Sequence, residues 1–485
     1  MAPAVHDDKP QRLRDPVHDI IAFDLSDEFE HTIWRVIQTP PFQRLRRIRQ
    51  LGFSEFVYPG ATHTRFNHSI GVFHTARRLM DVIETRIRAG RPRRYLESRA
   101  HRALAAALVH DVGHGMFSHG FEPVGEELDL PMAAHETVSE KLIRDSEIAE
   151  ELNALGSGFA DDVATLIGGS PTSFYDAVVS SQFDADRLDY MRRDRLMTGV
   201  ENGAIDFEWL VANLEIGEVP TGTDYEGGKS VETFVLGPKA IHAAEDFVLA
   251  LFQLYPTIYF HKTTRAAEKV FSALMIRIVE LVREDAVRRT GLGKAHPLIR
   301  FASAPDSLDA ALALDDTVLW GSLAMLEAAP DRTVAEMATR LRRRRLPKCI
   351  DIRTRLQAEL RAPAGASRED RQRATAKIDQ ACEVFKEEIE EWRAGGHDGV
   401  RLLLTDEGKR APYKGVEDSK GPLDQIRIRL PDGEVGDIRD HSPVVDGIER
   451  FRFLRAYVDE GDQDAKDAVD RFVTAALDRV GAGDG

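Results

Sequence analysis

The 485-residue chain has few cysteines, no long apolar run and a deficit of positive charge. Its two cysteines, Cys349 and Cys382, are too few for a disulfide framework, which favours a reducing compartment. No segment approaches the roughly 20 apolar residues that a membrane span needs. The opening sequence MAPAVHDDKPQRLRD also lacks the apolar core of a secretory signal. These absences argue against a membrane protein or a disulfide-rich secreted protein, and they predict a cytoplasmic location.

The charge balance limits the partners that the whole surface could attract. Lys and Arg total 65 against 81 Asp and Glu, which gives a net charge of −16. Such a surface opposes non-specific attraction to nucleic acids and to anionic membranes. A polyanionic substrate must therefore be met by local arginines. Arginines do cluster in residues 44–49 and 342–345, although we expect most of these side chains to lie on solvated helix faces.

Hydrophobic periodicity predicts helices through the first half of the chain. From about residue 28 to 205, apolar residues recur at intervals of three and four positions. The stretch FNHSIGVFHTARRLMDVIETRI is predicted to be one helix that the GRP of residues 90–92 ends. A second helix, in RALAAALVHDVGHGMFSH, should stop at Gly113 and Gly115. His110 and Asp111 would then lie at a helix end.

The fold class that follows is mainly α, with a helical core, a small β ribbon and a C-terminal mixed α+β lobe. The ribbon is expected around VPTGTDYEGGKSVETFVLG, and residues 365–395 form a charged amphipathic helix. One side of that helix carries Ile378, Cys382, Phe385, Ile389 and Trp392. The predicted division is an N-terminal segment 1–27, a core with its helical extension 28–290, a further helical extension and oligomer contact 291–400, and the C-terminal lobe 401–485.

The densest chemical signal is VHDVGHGMFSH, which places His110, Asp111, His114 and His119 within ten positions. A mixed set of nitrogen and oxygen donors suits Mn, Fe, Co, Ni or Zn, and it favours hydrolysis. A His-Asp pair does not fill a coordination sphere, so further ligands must come from elsewhere. Spacing alone does not select them; the candidates are His63, His68 and His74 upstream and Asp184, Asp186, Asp189 and Asp194 downstream.

An ordered series of motifs makes the site more specific. The HD pair and its H-x3-H spacing, preceded by RFNHSIGV and followed by DADRLDYMRRD, resemble HD-domain phosphohydrolases close to the SAM-and-HD-domain deoxynucleotide triphosphohydrolases. RDPVHDIIAFD, TPPFQRLRRIRQLG and YFHKTTRAAEKV extend the likeness over residues 12–290. Because no sterile-motif domain precedes residue 12, the resemblance is to the catalytic-core type found in bacteria.

The resemblance implies a metal set and a catalytic set. The metal ligands would be His68, His110, Asp111 and Asp186, and an additional Mg²⁺ would accompany the nucleotide. The catalytic residues would be His119, His114, His135 and Asp111. His119 would be the general acid, because a histidine can transfer a proton near neutral pH, while the other two histidines would line the phosphate site.

The implied substrate is a deoxynucleoside triphosphate, cleaved to a deoxynucleoside and inorganic triphosphate. Arg65 and Arg187 occupy positions that contact the phosphates in the family. The sugar and base pocket would be formed by Gln50, Leu51, Tyr190, Asp194 and Tyr259. In that pocket the resemblance implies that Gln50 and Asp194 hold the 3′-hydroxyl, while a tyrosine under the ribose excludes a 2′-hydroxyl.

Some positions depart from nucleotide-gated relatives. Leu251 and Tyr255 stand where such a relative has Arg and His, so contacts to the triphosphate or base are expected to differ. A candidate allosteric site retains Gln43 and Arg46, but Gln38 replaces a guanine-reading Asp, which argues against control by GTP. The resemblance also implies a homo-oligomer, a tetramer or hexamer. A nucleotide is a candidate effector, single-stranded DNA is another through the arginine clusters, and no membrane partner is expected.

Two alternatives remain open at the level of sequence. The chain could be a phosphohydrolase for an alarmone, a modified nucleotide or a nucleic-acid end. It could also be a nucleotide sensor that keeps the metal shell but not turnover, although the intact acid candidate His119 argues against that reading. The products formed from nucleotides would distinguish these hypotheses from the leading one.

Overall fold

The computed structural model describes residues 9–88, 94–169, 171–220, 230–394, 403–413 and 425–481. Most of these residues are helical, as the sequence predicted. The helices are α1 (Glu28–Gln38), α2 (Pro40–Arg44), α3 (Arg65–Arg88), α4 (Glu97–Val109), α5 (Glu122–Leu128), α6 (His135–Arg144), α7 (Glu147–Leu152), α8 (Phe159–Gly168), α9 (Ala185–Thr198), α10 (Phe207–Ala212), α11 (Ile241–Leu254), α12 (Lys262–Arg283), α13 (Pro297–Ser303), α14 (Leu308–Leu312), α15 (Asp316–Leu326), α16 (Arg332–Arg342), α17 (Ile352–Leu360), α18 (Arg368–Ala394), α19 (Ile438–His441), α20 (Pro443–Asp446) and α21 (Gln463–Gly481).

Nine short strands lie in the described residues. They are β1 (Gln11–Asp15), β2 (Asp19–Phe23), β3 (Leu214–Pro220), β4 (Ser230–Leu236), β5 (Lys348–Asp351), β6 (Leu403–Arg410), β7 (Arg427–Arg429), β8 (Val435–Asp437) and β9 (Phe451–Val458). None of the helices among the described residues has the length and apolar character that a membrane crossing requires. The predicted mainly α class is therefore confirmed.

The chain divides into two compact units, each built from separated segments. The first unit comprises residues 1–259, 304–318 and 412–449, and the second comprises 260–303, 319–411 and 450–485. The predicted division uses four consecutive segments of the chain, whereas these two units are built from interleaved segments, and the predicted division stays a prediction. The C-terminal strands are divided between the two units, since β7 and β8 belong to the first unit and β9 belongs to the second.

The first unit is organised around α3, which packs against α4 and α9. Small residues make the close approach of α4 feasible, because Ala103, Ala105 and Ala106 are fully buried. As predicted, His110 and Asp111 lie at a helix end, but α4 ends at Val109 with His110 as its C-cap, before the expected stop at Gly113 and Gly115. The GRP of residues 90–92 lies outside the described residues. Gly113 permits the next close approach, since a Cβ there would lie 2.2 Å from the backbone nitrogen of Ser139.

A four-stranded sheet in the first unit contains the predicted ribbon. β3 and β4 pair antiparallel, β7 runs parallel to β4, and β8 completes the order β3-β4-β7-β8. In the segment EVGDIRDHSPVV, β8 is a strand and α19 and α20 follow it. Asp437 and Ser442 cap these helical turns by accepting from the backbone N–H groups of Arg439 and Val445.

The second unit has its own sheet, of order β5-β9-β6, covered by α17, α18 and α21. The amphipathic pattern of α18 is confirmed: Ile378, Cys382, Phe385 and Ile389 are buried in this core, and Trp392 packs partly against it. Both cysteines are free thiols, with Cys382 buried and Cys349 half-buried.

Candidate active site

The four predicted metal ligands lie together where α3, α4 and α9 meet in the first unit. His68 is in the first turn of α3, and His110 caps α4 and is followed directly by Asp111. Asp186 is in the first turn of α9. The packing of α3 against the other two helices therefore joins residues that are widely separated in sequence. We call His68, His110, Asp111 and Asp186 the central cluster.

The ring nitrogens and carboxylate oxygens of the central cluster enclose a small space. Nε2 of His68 lies 3.0 Å from Oδ1 of Asp186 and 3.5 Å from Oδ2 of Asp111. Nε2 of His110 lies 3.5 Å from Oδ1 of Asp111 and 3.7 Å from Oδ1 of Asp186. His68 is buried, whereas the side chain of Asp186 is 39% exposed. The cluster is thus closed on one side and open on the other.

Two buried nitrogens test whether this cluster fits a metal ion. Nε2 of His68 and Nε2 of His110 have no hydrogen-bond partner among the described residues. Nδ1 of His68 donates to Asp189 at 2.9 Å, and Nδ1 of His110 donates to the carbonyl oxygen of Ala107 at 3.0 Å. Because these partners only accept, each ring in its neutral form carries its lone pair on Nε2, beside carboxylate oxygens. That donor set fits a divalent cation, and His68, His110 and Asp111 could hold one.

The charges around the cluster also favour a cation. Burial lowers the pKa of His68, but the nearby Asp111, Asp186 and Asp189 carboxylates raise it well above its ordinary value. Burial raises the pKa of Asp111, but the charges of Arg65 and His110 hold it well below its usual range. The pKa of Asp186 is lowered in the same way by the two histidines against the effect of burial. The carboxylates are therefore ionised at neutral pH, and they attract a positive charge into the space between the rings.

The structure distinguishes among the histidines that spacing left open. Of the three upstream candidates, only His68 belongs to the central cluster. His63 binds Asp194 through Nε2 at 2.8 Å. His74 lies 4.9 Å, between ring centroids, from His18 in the loop of the β1–β2 hairpin. Burial and the nearby His18 and arginines lower the pKa of His74 to about 4, so its ring is neutral at pH 7.

The four downstream aspartates also take different places. Asp186 joins the central cluster, while Asp184 caps α9 by accepting from the backbone N–H of Arg187. Burial raises the pKa of Asp184 to about 6. Asp189 binds the far side of the His68 ring. Asp194 binds His63. Successive residues of a helix face different directions, so these aspartates contact different neighbours although they are close in sequence.

A second cluster adjoins the central cluster and contains His114, His119, Glu122 and His135; we call it the histidine cluster. His114 stacks on His135 with ring centroids 4.0 Å apart, and both rings stand nearly perpendicular to that of His119. Nε2 of His114 lies 3.2 Å from Oδ1 of Asp111, which makes the two clusters continuous. The side chain of His119 is 66% exposed. The three histidines named by the resemblance are therefore together, and His119 is open to solvent.

Glu122 organises the histidine cluster and was not among the predicted site residues. Its carboxylate accepts the Nδ1–H of His119 at 3.0 Å and the Nδ1–H of His135. Burial raises the pKa of Glu122, but these hydrogen bonds hold it well below its usual range. The carboxylate is thus ionised and stabilises positive charge on either ring. Its position three residues after His119, at the start of α5, was the signal in the sequence that could have identified it.

The two predicted phosphate-binding arginines border the clusters. Arg65 is buried; its Nη1 donates to Asp111 and its Nε donates to the Ser118 hydroxyl at 2.9 Å. Arg187 is in the first turn of α9, where its Nη1 donates to the carbonyl oxygen of Ser181 at 2.6 Å. Arg65 lies in the same first turn of α3 as His68, and Arg187 directly follows Asp186 in the first turn of α9. Their contact with phosphate stays a prediction.

The predicted sugar pocket contains a hydrogen-bonded chain. Asp194 accepts from the hydroxyl of Tyr259 at 2.8 Å and binds His63. The backbone N–H of Gln50 donates to the carbonyl of His63 at 3.1 Å, and the buried Oε1 of Gln50 has no hydrogen-bond partner among the described residues. Tyr190 meets Tyr259 edge to face with ring centroids 6.1 Å apart. An unpaired amide oxygen in such a pocket can accept from a ligand hydroxyl.

The remaining pocket residues lie on nearby turns. Leu51 precedes the 3-10 turn Gly52–Phe56. Tyr259 ends a π-helical turn, Tyr255–Tyr259, which follows α11. Leu251 is buried in α11, while the ring of Tyr255 lies 5.0 Å from that of Tyr259. The departure at Tyr255 therefore lies beside the predicted sugar pocket, whereas Leu251 belongs to the core.

The candidate allosteric residues form a small local group. The side-chain amide of Gln43 donates to the carbonyl of Ile37 at 2.7 Å, and Arg46 donates to Gln43 and lies over the ring of Phe66. Gln38, the last residue of α1, is exposed. These contacts show where the residues lie, and an effector site at them stays a prediction.

One arginine of residues 44–49 is buried, whereas most of these side chains were expected to lie on solvated helix faces. Arg44 is 4% exposed, and it donates to the carbonyl oxygens of His114 and Leu314. Burial lowers the pKa of Arg44 to about 10, which still leaves it charged at neutral pH. Arg44 is therefore an exception to the solvated faces expected for most of these arginines, because its guanidinium satisfies backbone carbonyl oxygens.

Two protein-family models match the chain in this region. One is described as an HD domain and matches residues 65–191, and the other is described as an HD-associated region and matches residues 228–293. The first range contains both clusters, and the second contains the π-helical turn that carries Tyr259.

Relatives of known sequence cover the chain to different extents. The uncharacterized protein YwfO of Bacillus subtilis is 30% identical over 449 residues, which is 91% of this chain and 89% of that protein. The deoxynucleoside triphosphate triphosphohydrolase SAMHD1 of Gallus gallus is 33% identical over 231 residues, which is 41% of this chain and 36% of that protein. The similarity to an enzyme of named activity thus spans only about a third of that enzyme's length.

A solved structure supports the fold over nearly the whole chain. A crystal structure of a phosphohydrolase from Bacteroides thetaiotaomicron aligns with a TM-score of 0.67 at 24% sequence identity. The alignment covers 93% of this chain and 100% of that chain. At this identity the similarity concerns the fold.

Proposed function

We propose, since the chain belongs to the HD-domain phosphohydrolase family, that it hydrolyses deoxynucleoside triphosphates to deoxynucleosides and inorganic triphosphate. The observation that carries this proposal is the continuity of the two clusters, because Asp111 of one approaches His114 of the other at 3.2 Å. A cation-binding set and a proton donor on one polar surface are what cleavage of a phosphate ester needs. The named activity of the relative from Gallus gallus supports the choice of substrate.

The proposed reaction breaks one bond and forms one. A water oxygen bonds to the α-phosphorus, and the bond between that phosphorus and the 5′ oxygen of the deoxyribose breaks. The water oxygen stays in the triphosphate, the 5′ oxygen takes up a proton, and the water releases a proton that restores the acid. We assign the proton to His119, because its Nδ1–H is held by Glu122, which leaves Nε2 for the leaving group. The ionised Glu122 stabilises the protonated ring before transfer.

The central cluster would hold the divalent ion, with His68, His110, Asp111 and Asp186 as ligands. Its mixed donors suit Mn, Fe, Co, Ni or Zn, and an additional Mg²⁺ would travel with the nucleotide. When bound, such an ion supplies positive charge beside the phosphate and makes water a better nucleophile.

The substrate would extend from the clusters to the sugar pocket. Arg65 and Arg187 would bind phosphate oxygens, since a guanidinium can donate two parallel hydrogen bonds. Gln50 and Asp194 would hold the 3′-hydroxyl, and the unpaired Oε1 of Gln50 supports that role. Tyr259, fixed by its hydrogen bond to Asp194, would exclude a ribose by crowding the 2′ position. Leu51 and Tyr190 would complete the pocket.

A product analysis tests the proposal. The purified chain is incubated with Mn²⁺ and each dNTP, singly and in mixtures, and the phosphate products are separated by ion exchange. We expect triphosphate released in one piece together with the deoxynucleoside. Release of only orthophosphate or pyrophosphate would contradict the assignment and favour another phosphohydrolase reaction. A nucleotide that stays bound and intact for hours with metal present would favour a sensor instead.

The ribonucleotides provide a matched control for the sugar pocket. ATP and GTP carry the same triphosphate as dATP and dGTP and differ only at the 2′ position. We expect them to be cleaved more slowly than the deoxy forms, and equal rates would contradict the role given to Tyr259. Mixtures also test for an activating nucleotide, with Gln43 and Arg46 as the candidate contacts. The mass of the particle in solution tests the predicted tetramer or hexamer.

A further inference from the structure

A fully buried polar chain backs the central cluster on the side away from its opening. Asp189 accepts from Nδ1 of His68 at 2.9 Å through one oxygen and binds Nε2 of His18 at 2.7 Å through the other. Arg193, one turn further along α9, donates to both oxygens of Asp189 at 2.8 and 2.9 Å. Arg193 also donates to Asp15 at 2.7 Å. The side chains of these five residues are at most 6% exposed.

The first consequence concerns the orientation of His68. An ionised carboxylate only accepts hydrogen bonds, so Asp189 requires the proton of the His68 ring to be on Nδ1. Nε2 then presents its lone pair to the space shared with Asp111 and Asp186. The same bond fixes the rotation of the ring. Carboxylate–histidine pairs of this kind orient metal-binding histidines and increase their basicity.

The second consequence concerns Gly71, which lies three residues after His68 and on the same side of α3. A Cβ at this position would lie 2.1 Å from Oδ1 of Asp189, 2.2 Å from Nη2 of Arg193 and 2.8 Å from Cγ of Asp189. Real Cβ atoms do not approach other atoms so closely. The missing side chain of Gly71 is therefore what allows the Asp189–Arg193 pair to lie directly against α3 beside His68.

The third consequence concerns charge. Asp15, Asp189, Asp111 and Asp186 contribute four negative charges around His68, while Arg193 and Arg65 contribute two positive charges. A histidine must be neutral to bind a metal ion, and with both histidines in that form the carboxylates of this group outnumber its arginines by two. A buried ion pair gains little by itself, and an excess of buried charge is unfavourable unless an opposite charge lies nearby. One divalent cation in the central cluster would balance this excess.

We propose that Asp189 is a positioning residue for the metal ion of the central cluster. His18, Arg193 and Asp15 fix its carboxylate, and Gly71 provides the space that it occupies. The inference rests on the proposed metal site but not on the identity of the substrate. It also gives the β1–β2 hairpin, which carries Asp15 at the end of β1 and His18 in its loop, a part in metal binding although the hairpin supplies no ligand.

Metal affinity is the decisive measurement, since it does not depend on turnover. Mn²⁺ binding to the metal-free full chain is titrated by calorimetry, and the visible spectrum of bound Co²⁺ reports the geometry of the site. Asp189→Asn keeps the shape of the side chain, but its amide can donate to Nδ1 of His68 and so favour the wrong ring proton. We expect the Kd for Mn²⁺ to rise by about 10- to 100-fold and the Co²⁺ spectrum to change.

Gly71→Ala tests the same idea without removing any charged group. We expect it to weaken Mn²⁺ binding as well, because the added methyl group displaces Asp189 from His68. His18→Gln should remain within about threefold of the wild-type Kd, since its amide can still donate to Asp189, whereas His18→Ala should weaken binding further. This graded order is a result that a purely structural role would not produce.

Two variants in the second unit serve as matched controls. Asp331→Asn removes another buried carboxylate that binds arginines, namely Arg277 and Arg289. Gly408→Ala introduces similar crowding, since a Cβ there would lie 2.5 Å from the ring of Phe453. Both should lower stability yet keep the wild-type affinity for Mn²⁺.

The outcomes separate this inference from the proposed function. Reduced Mn²⁺ affinity in Asp189→Asn and Gly71→Ala, with both controls unchanged, supports the inference whatever the substrate proves to be. Wild-type affinity in these two variants would overturn it. So would a wild-type protein that binds neither Mn²⁺ nor Co²⁺. If the wild type binds Mn²⁺ but releases no triphosphate from dNTPs, the proposed function fails and the role of Asp189 is still decided by the affinities.

Discussion

The central cluster and the histidine cluster meet at Asp111 and His114, yet they are anchored in opposite ways. In the central cluster the far side of each histidine ring is fixed, and the near nitrogens have no hydrogen-bond partner among the described residues. In the histidine cluster Glu122 binds two of the rings, and His119 extends into solvent. The same residue types therefore suit different tasks, because a fixed lone pair can hold an ion while an exposed ring can deliver a proton.

The largest expected effect comes from Asp111→Asn, which removes the charge at the point where the clusters meet. We expect triphosphate release to fall by roughly 10³-fold, because positive charge is no longer held beside the phosphate. Mn²⁺ should also stop raising the melting temperature. Asp315→Asn, which removes the carboxylate that pairs with Arg47, is the control. Retained turnover and metal binding in Asp111→Asn would remove the central cluster from the mechanism.

His119→Ala should separate the two clusters most clearly. Loss of a general acid lowers kcat by about 10²- to 10³-fold, whereas the affinity for Mn²⁺ should stay at the wild-type value. Both quantities are measured on the same preparation. A fall in metal affinity as large as the fall in kcat would mean that the clusters act as one unit, and the contrast drawn above would be wrong.

Removal of the metal should affect only the stability that the central cluster provides. At a Mn²⁺ concentration about 100 times its Kd, the bound ion stabilises the folded chain by about 2.7 kcal/mol. Urea unfolding of the wild type with and without a chelator measures this difference. His119→Ala should show the same gain from Mn²⁺, and Asp111→Asn should show none. An equal gain in all three proteins would place the ion elsewhere.

Glu122→Gln should give the smallest effect, and one that depends on pH. Hydrogen bonds from His119 and His135 hold the folded pKa of Glu122 below its ordinary value of 4.5. The folded state thus binds a proton more weakly than the unfolded state, so this stabilisation is complete above pH 4.5 and is lost as the pH falls toward the folded pKa. We expect the variant to lose about 1 to 2 kcal/mol at pH 7.

The difference between wild type and Glu122→Gln should narrow as the pH falls below 4.5, which urea unfolding at pH 7, 5 and 4 can follow. A constant difference across that range would mean that the charge of Glu122 does not stabilise the fold. The effect on metal affinity should be negligible, since Glu122 belongs to the histidine cluster.

The helical class and the position of the HD pair could be predicted from the sequence because both depend on local order. Apolar periodicity predicts a helix, and Gly113 and Gly115 predict that it stops nearby, so His110 and Asp111 were expected at a helix end. The helix α4 itself ends a few residues earlier, at Val109. The shorter elements were less predictable. Asp437 and Ser442 can belong to a strand or cap a helix, and only the surrounding contacts decide between these states.

The supporting residues of the site could not be identified in the same way. Asp184, Asp186, Asp189 and Asp194 are close together in sequence, and their tasks differ only because α9 turns each toward a different neighbour. His18 is remote in sequence from the HD pair, and nothing local relates it to Asp189. Glu122 was closer to prediction, since it follows His119 by three residues. The burial of Arg44 was not visible in the sequence, because an arginine is usually exposed and the carbonyl groups that bind this one are remote along the chain.

The hydrogen bond between His18 and Asp189 also has a consequence for the order of folding. It joins residues 171 positions apart, and contacts of such long range form only after much chain entropy has been lost. During synthesis the β1–β2 hairpin leaves the ribosome long before α9 is made. The hydrogen bond between His18 and Asp189 can therefore form only after α9 has been synthesised. The ability to bind a metal ion with full affinity should therefore appear late, as a property of the completed first unit.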